Sequence, residues 1–236
     1  RQDDFKRWAD ESVAAIGRSI DDEQRLASQR AIVEQQRWFA DQIEQRRAEP
    51  RDDFLSNLLN ARLTSEDEIE GEPLSMGEML SIIRQIQVAG SETTTSLLAD
   101  AMVCLSHRPD LWKRMHEEPG FIANVVEEAL RFSSPNQGLF RIATRDSEIR
   151  GVAIPKGSAL WVMFGSANRD ERVFANPSEF DPDRSELKEH LALGKGIHYC
   201  LGAALARLEA RVALEVLSQR IESFRVIDES RLRYAP

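Results

Sequence analysis

Apolar residues recur every three or four positions through most of the first 132 residues, which is the spacing of helices that bury one face. The longest such segment lacks proline throughout, and Ser75 with Glu78 forms the capping-box pattern that begins a helix. The periodicity predicts six helices, over about 5–16, 21–47, 53–60, 75–106, 110–117 and 121–132.

The pattern changes in the second half of the chain. Residues 139–163 alternate apolar and polar side chains around a Pro-Lys-Gly turn, which predicts a few short strands. Residues 165–199 are predicted to be irregular, and a last helix is predicted from near Cys200 to about Ile221. Long helices, a small β patch, a structured loop and a final helix predict a mainly α fold with minor β structure.

The composition fits a packed protein of one domain, or at most two, because 42% of the 236 residues are hydrophobic and 30% are charged. The net charge of −9 argues against a nucleic-acid partner. No apolar run approaches the roughly 18 residues of a membrane span. Two distant cysteines, Cys104 and Cys200, do not indicate a disulfide framework, so we expect a reducing, cytoplasmic compartment.

The segment 193–202, which reads LGKGIHYCLG, leads into the last predicted helix. Cys200 stands at the start of that helix, where the helix dipole favours the thiolate form. Glycines have no side chain, so a flat ligand can approach the backbone closely at Gly194, Gly196 and Gly202. The segment therefore predicts a ligand site built around one cysteine.

Two other uses of this cysteine have less support in the sequence. A zinc site needs paired Cys or His spacing, which His190, His198 and Cys200 lack. A catalytic thiol of the hydrolase type needs a base such as His107 or His116, and nothing in the sequence links either to this loop.

The segment resembles the haem-binding loop of the cytochrome P450 family, whose pattern is Phe-Gly-x-Gly-x-His-x-Cys-x-Gly. Every fixed position matches except the first, where Leu193 replaces Phe. The resemblance implies haem b as cofactor, with Cys200 as the axial thiolate ligand of the iron. It also implies that His198 meets a haem propionate, and that the glycines of the loop lie against the haem.

Three further segments resemble parts of the same family. The run AGSETT, which begins at Ala89, interrupts an apolar helix and would by itself be typical of a solvated stripe. It resembles the family's oxygen-binding groove, which implies that the helix opens at Ala89 and Gly90 and that these two residues lie against the haem. By the same resemblance, Glu92 and Thr93 are the acid–alcohol pair that delivers protons, and Val88 with Ala89 faces the substrate.

The second segment contains Glu128 and Arg131, a spacing that alone is common on helix surfaces. In the family this pair is buried and joined by a loop arginine, for which Arg184 is the match, and its role is structural. The third contains Arg141, which resembles the arginine that binds a haem propionate from the β patch.

The residues between the helix of Arg131 and the strand of Arg141 are expected to face the substrate. Leu139 and Phe140 suggest a partly apolar small molecule, although such a pair is also common in an ordinary core. The predicted pocket residues here are Asn136, Gln137, Gly138, Leu139 and Phe140.

The resemblance covers nearly the whole chain but only the later part of the family's fold, so we expect one domain over 1–236 that lacks its N-terminal part. Residues 1–72 would form lid and connecting helices. Residues 73–236 would hold the oxygen-groove helix, the Glu-x-x-Arg helix, the β patch, the haem-ligand loop and the final helix.

The function implied is that of a soluble, bacterial-type monooxygenase that inserts one atom of O₂ into an organic molecule. Electrons would come from a ferredoxin- or flavin-type donor, separate or fused to the protein. Two alternatives stay open: a peroxide-using haem-thiolate enzyme, a branch that typically lacks the acid–alcohol pair, and a non-catalytic haem-binding fragment.

Overall fold

The computed structural model describes residues 2–14, 21–63 and 71–232, so the end of the first predicted helix lies outside the described residues. The longer helices are α1 (Gln2–Ala14), α2 (Asp22–Ala48), α3 (Phe54–Asn60), α4 (Met76–Ser106), α5 (Pro109–Glu117), α6 (Ile122–Ser133) and α8 (Ala203–Arg220), with the short α7 (Phe164–Ala167). The strands are β1 (Arg62–Leu63), β2 (Glu72–Pro73), β3 (Gly138–Ile142), β4 (Ser147–Ile149), β5 (Val152–Ile154) and β6 (Ala159–Met163).

The predicted fold class, mainly α with a small β patch, is confirmed. The observed ends of α2 to α6 lie at the predicted residue or one residue away from it. At the start of α4 the predicted capping box is present, because Glu78 accepts from the Ser75 amide at 2.8 Å while its own amide donates to the Ser75 hydroxyl. The paired strands β1 and β2 were not predicted, because two residues are too few to show a period of two.

The last helix begins later than the sequence suggested. The amide of Cys200 donates to the carbonyl of Leu193 at 2.9 Å, and α8 begins at Ala203 with Gly202 as its N-cap residue. The cysteine therefore belongs to the end of a closed loop that precedes the first turn of the helix.

The described residues fall into two compact units, whose boundary lies within α4 between Glu92 and Thr93. The prediction of a single domain over 1–236 stays a prediction. The core of the first unit lies between α2, α3 and the first turns of α4. Its buried apolar side chains are Phe39, Ile43, Leu55, Leu58, Met79 and Ile83.

The core of the second unit is formed by the end of α4 with α5, α6 and α8. Among its most deeply buried side chains are Leu97, Leu105, Met115, Val125, Ala129 and Leu214. Such burial is worth about 1.5–3 kcal/mol for each large aliphatic side chain, so α6 is held firmly on its apolar face.

Two antiparallel strand pairs follow α6. Strand β3 pairs with β6 from Gly138 opposite Met163 to Ile142 opposite Ala159, and β4 pairs with β5. The predicted Pro-Lys-Gly turn is present, because the Ser158 amide donates to the Pro155 carbonyl and Gly157 has φ +86°. Of the helices that the structure describes, none is both long enough and apolar enough to cross a membrane.

Candidate functional site

The Cys200 loop is closed by backbone hydrogen bonds that require glycine at two positions. Gly194 and Gly196 have φ values of +71° and +73°, a conformation that other residues rarely adopt. The Gly194 amide donates to Leu191 at 2.9 Å, and the Tyr199 amide donates to Gly196 at 3.0 Å. A Cβ on Gly194 would lie 3.3 Å from the His198 carbonyl oxygen, which is closer than most Cβ contacts, so the loop leaves little room there for a side chain.

Cys200 is half-buried and its thiol is free. Two apolar residues close to it in the sequence, Ile197 and Leu201, have side chains that are 98% and 97% exposed. Large apolar side chains exposed together in one short loop often mark a place where a ligand or partner covers them. This arrangement suits a flat apolar ligand that is bonded through sulfur.

The second cysteine has a different environment. Burial raises the pKa of the Cys104 thiol to about 11, and the negative charge of Asp100 on the preceding helical turn acts in the same direction. Cys104 therefore stays a neutral thiol, and among the two cysteines Cys200 is the candidate ligand.

A haem fits this donor set. Its iron carries four nitrogen ligands of its own and needs only an axial donor from the protein, which the single thiolate of Cys200 can supply. In the described part of the chain, no three His, Cys, Asp or Glu side chains are grouped so that they could hold a bare metal ion. His190, one of the residues weighed for zinc, faces the carboxylate of Glu127 at 3.0 Å.

The three residues predicted to have a structural role, Glu128, Arg131 and Arg184, form one hydrogen-bonded cluster. The Glu128 carboxylate accepts two hydrogen bonds from Arg131, both 2.7 Å, and one from Arg184 at 3.0 Å. It also accepts from the backbone amide of Asp181 at 2.8 Å. All three charged side chains are almost completely buried.

The remaining donors of the two guanidinium groups bind backbone carbonyls of the loop that leads toward Cys200. Arg131 donates to the carbonyls of Asn168, Pro177 and Glu179, each at 2.9 Å. Arg184 donates to the carbonyls of Ala175 and Glu179. The charged cluster thus fixes the course of residues 168–184, and the sequence spacing alone could not have distinguished it from a surface pair.

A second charged cluster, centred on Glu127, was missed by sequence reasoning. The Glu127 carboxylate binds His190 and accepts two hydrogen bonds from Arg207, whose Nη1 donates to the Tyr199 hydroxyl at 3.0 Å. These partners lie 63 and 80 positions along the chain from Glu127. No local spacing could have indicated the cluster.

The β patch carries the predicted propionate ligand and pocket residues. Arg141 is half-buried on β3, and His198 is exposed in the Cys200 loop. Leu139 and Phe140 are 41% and 61% exposed, so they do not form an ordinary core pair, and Phe140 stacks on Trp161 with 5.7 Å between ring centroids. These apolar surfaces are available to a ligand.

The three residues before Leu139 shape the turn into β3. The side-chain amide of Gln137 donates to the backbone carbonyls of Ser133 and Ser134 at the end of α6, at 2.6 and 2.8 Å. Asn136 accepts from the Gly138 amide at 3.3 Å. A Cβ on Gly138 would lie 2.6 Å from the Trp161 ring nitrogen, so only glycine fits there.

The predicted oxygen-groove segment lies on α4, which runs through Gly90 without a break. Val88 is half-buried and Ala89 is exposed. Apart from its chain neighbours and the nearby backbone of its own helix, no atom of the described residues lies within 4 Å of where a Cβ on Gly90 would stand, so the helix surface is open there. Thr93, the first residue of the second unit, is half-buried.

Glu92 belongs to the first unit and faces α1. Burial raises the pKa of its carboxyl group, and a hydrogen bond with the acidic side chain of Asp10 raises it further, against the opposing charge of Lys6. Lys6 itself contacts Asp10 at 2.6 Å. A carboxyl group with a raised pKa holds a proton at higher pH than usual, which is the property that a proton carrier needs.

Comparison with known proteins agrees with this geometry. The sequence profile of the Cytochrome P450 family matches residues 18–230. The chain is 34% identical over 235 residues to the Biotin biosynthesis cytochrome P450 of Bacillus subtilis (strain 168), covering 100% of this chain and 57% of that protein. It is 37% identical over 239 residues to Cytochrome P450 107B1 of Saccharopolyspora erythraea, covering 100% of this chain and 56% of that protein.

Solved structures give the same result. The crystal structure of P450BioI in complex with hexadec-9Z-enoic acid ligated acyl carrier protein matches with a TM-score of 0.88 and 34% identity, over 97% of this chain and 57% of that one. Cytochrome P450 CYP109Q5 from Chondromyces apiculatus matches with a TM-score of 0.85 and 40% identity, over 97% and 54%. The chain spans about half the length of the curated relatives it matches.

Proposed function

Because the chain belongs to the cytochrome P450 family, we propose that it forms the haem-binding part of a monooxygenase that inserts one atom of O₂ into an organic substrate. The observation that carries the proposal is the closed glycine loop that holds Cys200 and exposes the apolar side chains of Ile197 and Leu201. Two free cysteines support the reducing cytoplasm as its compartment.

Members of this family bind haem b, and three residues of this chain would hold it. Cys200 would supply the axial thiolate, while His198 and Arg141 would bind the two propionates as hydrogen-bond donors. Haem b, when bound with a thiolate, supplies activation of O₂ and transfer of one oxygen atom to the substrate. The rigid backbone of the Cys200 loop keeps the sulfur in one position.

The proton supply is assigned to Glu92 and Thr93. Burial and the neighbouring Asp10 raise the pKa of the Glu92 carboxyl group, so it keeps a proton to a higher pH than an ordinary carboxyl group does. Thr93 Oγ1 would donate a hydrogen bond to a ligand at the open helix surface beside Gly90 and receive a replacement proton through Glu92. General acid catalysis of this kind is worth about 10²–10⁴-fold in rate.

The substrate class follows from the exposed apolar surface of the β patch. Leu139, Phe140 and Trp161 offer aliphatic and aromatic contacts. A partly apolar small molecule would bury these surfaces. The electrons would come from a ferredoxin- or flavin-type protein.

The test is the carbon monoxide difference spectrum of the reduced, haem-loaded protein. A red-shifted, thiolate-type Soret band in the wild type and in Cys104→Ser, and its loss in Cys200→Ser, is the expected result. A thiolate-type band that survives in Cys200→Ser overturns the ligand assignment. Failure of the wild type to bind haem overturns the proposed function.

A further inference from the structure

We propose that Glu127 is a positioning residue for the cysteine ligand, because its carboxylate clamps both ends of the segment 190–200 that carries Cys200. The role of the cysteine rests on the proposed function, whereas the clamp is a property of the protein alone. The carboxylate acts through His190 at one end of the segment and through Arg207 and Tyr199 at the other.

The first end of the segment is fixed by His190. Its side chain is only 3% exposed, and its Nε2 lies 3.0 Å from Glu127 Oε2. The ring's other nitrogen, Nδ1, accepts the amide hydrogen of Ala192 at 3.3 Å. Because Nδ1 accepts a hydrogen bond, the hydrogen of the ring lies on Nε2, so His190 donates to the carboxylate.

The neighbouring residue strengthens the same end. The Leu191 amide donates to Asn168 Oδ1 at 2.6 Å, and the amide group of Asn168 donates to the Ser134 hydroxyl at 2.8 Å. Asn168 and Ser134 are both buried. The start of the segment is thus held by two separate contacts. His190 binds Glu127 of α6, and Leu191 binds Asn168, which in turn binds Ser134 just beyond the end of α6.

The other end is fixed through α8. Arg207 donates from Nε and Nη2 to the two oxygens of Glu127, at 2.5 and 2.9 Å, which is the bidentate geometry that orients a guanidinium group. Its remaining terminal nitrogen donates to the Tyr199 hydroxyl at 3.0 Å. Tyr199 directly precedes Cys200, so the position of the tyrosine side chain constrains the backbone that carries the thiol.

The clamp is built from strongly stabilised charges. Burial alone would raise the pKa of Glu127, but the hydrogen bonds from His190 and Arg207 outweigh it and lower the pKa to about 2. The same contact with Glu127 raises the pKa of Arg207. The side chain of Glu127 is 15% exposed, so water replaces little of this interaction when a partner is lost.

Glu127 and Glu128 are adjacent but serve different segments. Successive residues of a helix point about 100° apart, so Glu128 faces Arg131 and Arg184 while Glu127 faces His190 and Arg207. Removal of Glu127 should therefore loosen the Cys200 loop and leave the irregular segment around Arg184 in place.

The first arm of the experiment uses the protein without haem. Hydrogen exchange of peptides covering 190–200 is measured in Glu127→Gln and Tyr199→Phe, with Glu209→Gln as the control at an exposed site on α8. A hydrogen bond to a charged group protects a local segment by about tenfold or more, so exchange there should quicken by that factor in Glu127→Gln. Peptides covering Ala175–Arg184 should exchange as in wild type.

The same variants are then made in a Cys104→Ser background, where alkylation reports on Cys200 alone. We expect faster alkylation in Glu127→Gln and a smaller increase in Tyr199→Phe, which loses a single hydroxyl and should fold normally. Unchanged exchange and unchanged alkylation in both variants would overturn the clamp.

The second arm uses the haem-loaded protein and separates the two proposals. If the clamp is right, Glu127→Gln converts part of the thiolate-type carbon monoxide band to the band of a protein without thiolate ligation, and it shifts the reduction potential. Glu209→Gln should change neither. If the wild-type protein shows no thiolate-type band, the proposed function is wrong. The hydrogen-exchange data, which are measured without haem, then still show whether Glu127 holds the segment 190–200.

Discussion

The carboxylate of Glu128 and the guanidinium group of Arg131 form a bidentate ion pair, 2.7 Å at both contacts, in which neither side chain has any exposed surface. Burial of two charges is costly, and it is tolerated where every donor and acceptor is satisfied. Arg184 and the Asp181 amide complete the set for the carboxylate. The pair therefore holds in place the segment that contains Asp181 and Arg184.

We expect Glu128→Gln to destabilise the second unit strongly. The substitution keeps the shape of the side chain but leaves Arg131 and Arg184 buried without a counter-charge, a loss that typically costs about 3–5 kcal/mol. The measurement is the urea midpoint of unfolding. Glu118→Gln, which removes an exposed pair with Arg114, should move it little. Equal midpoints for the two variants would contradict the structure.

Alkylation of Cys104 should require a higher pH than alkylation of an ordinary cysteine. Cys104, isolated in Cys200→Ser, has a pKa raised to about 11, so its labelling rate should still be rising at about pH 10. At about pH 8 it should react at least tenfold more slowly than a free cysteine in solution, even allowing for the greater nucleophilicity of a basic thiolate. A rate that levels off below pH 9 would show that Cys104 is not in this environment.

The contribution of Glu127 to stability should depend on pH in acid. Its folded-state pKa is about 2 against an ordinary value of 4.5, so its contribution is complete above about pH 5 and is lost as pH falls through the folded value. The gap in unfolding free energy between wild type and Glu127→Gln should therefore narrow from about pH 6 to about pH 2.5. A constant gap over that range would rule out an ionised, clamped carboxylate.

Thr93 and Glu92 should fail in different ways if the proposed function is right. Thr93→Ala should still consume reducing equivalents and O₂ but release hydrogen peroxide in place of product. Glu92→Gln should slow turnover, because its carboxyl group no longer carries protons; the expected loss is about 10²-fold or more. The measurement is product formed per cofactor oxidised, with peroxide assayed in the same reaction. If Thr93→Ala keeps the wild-type ratio of product to oxidised cofactor, Thr93 is not the alcohol that takes part in proton delivery.

The helices were predictable because their signals are local. Apolar periodicity and the capping box at Ser75 and Glu78 lie within a few residues of one another, and α4 begins where they indicate. The Cys200 loop was visible for the same reason, since its glycines and its cysteine occupy ten consecutive positions.

The charged clusters were only partly predictable. Glu128 and Arg131 share one helix, and Arg184 entered through family resemblance alone. Glu127 gave no signal, because its partners His190 and Arg207 come from a loop and a helix far along the chain. The start of α8 was misplaced by three residues because the Cys200 amide is used to close the loop, a choice that depends on tertiary structure.

The long separations within these clusters set an order on folding during synthesis. Arg207 follows Glu127 by 80 positions and Arg184 follows Glu128 by 56. At about 5–20 residues per second, the ribosome adds Arg207 roughly 4 to 16 seconds after Glu127. Until then α6 would have to bury a carboxylate that lacks its guanidinium partner, so the second unit must wait for α8 before it can close.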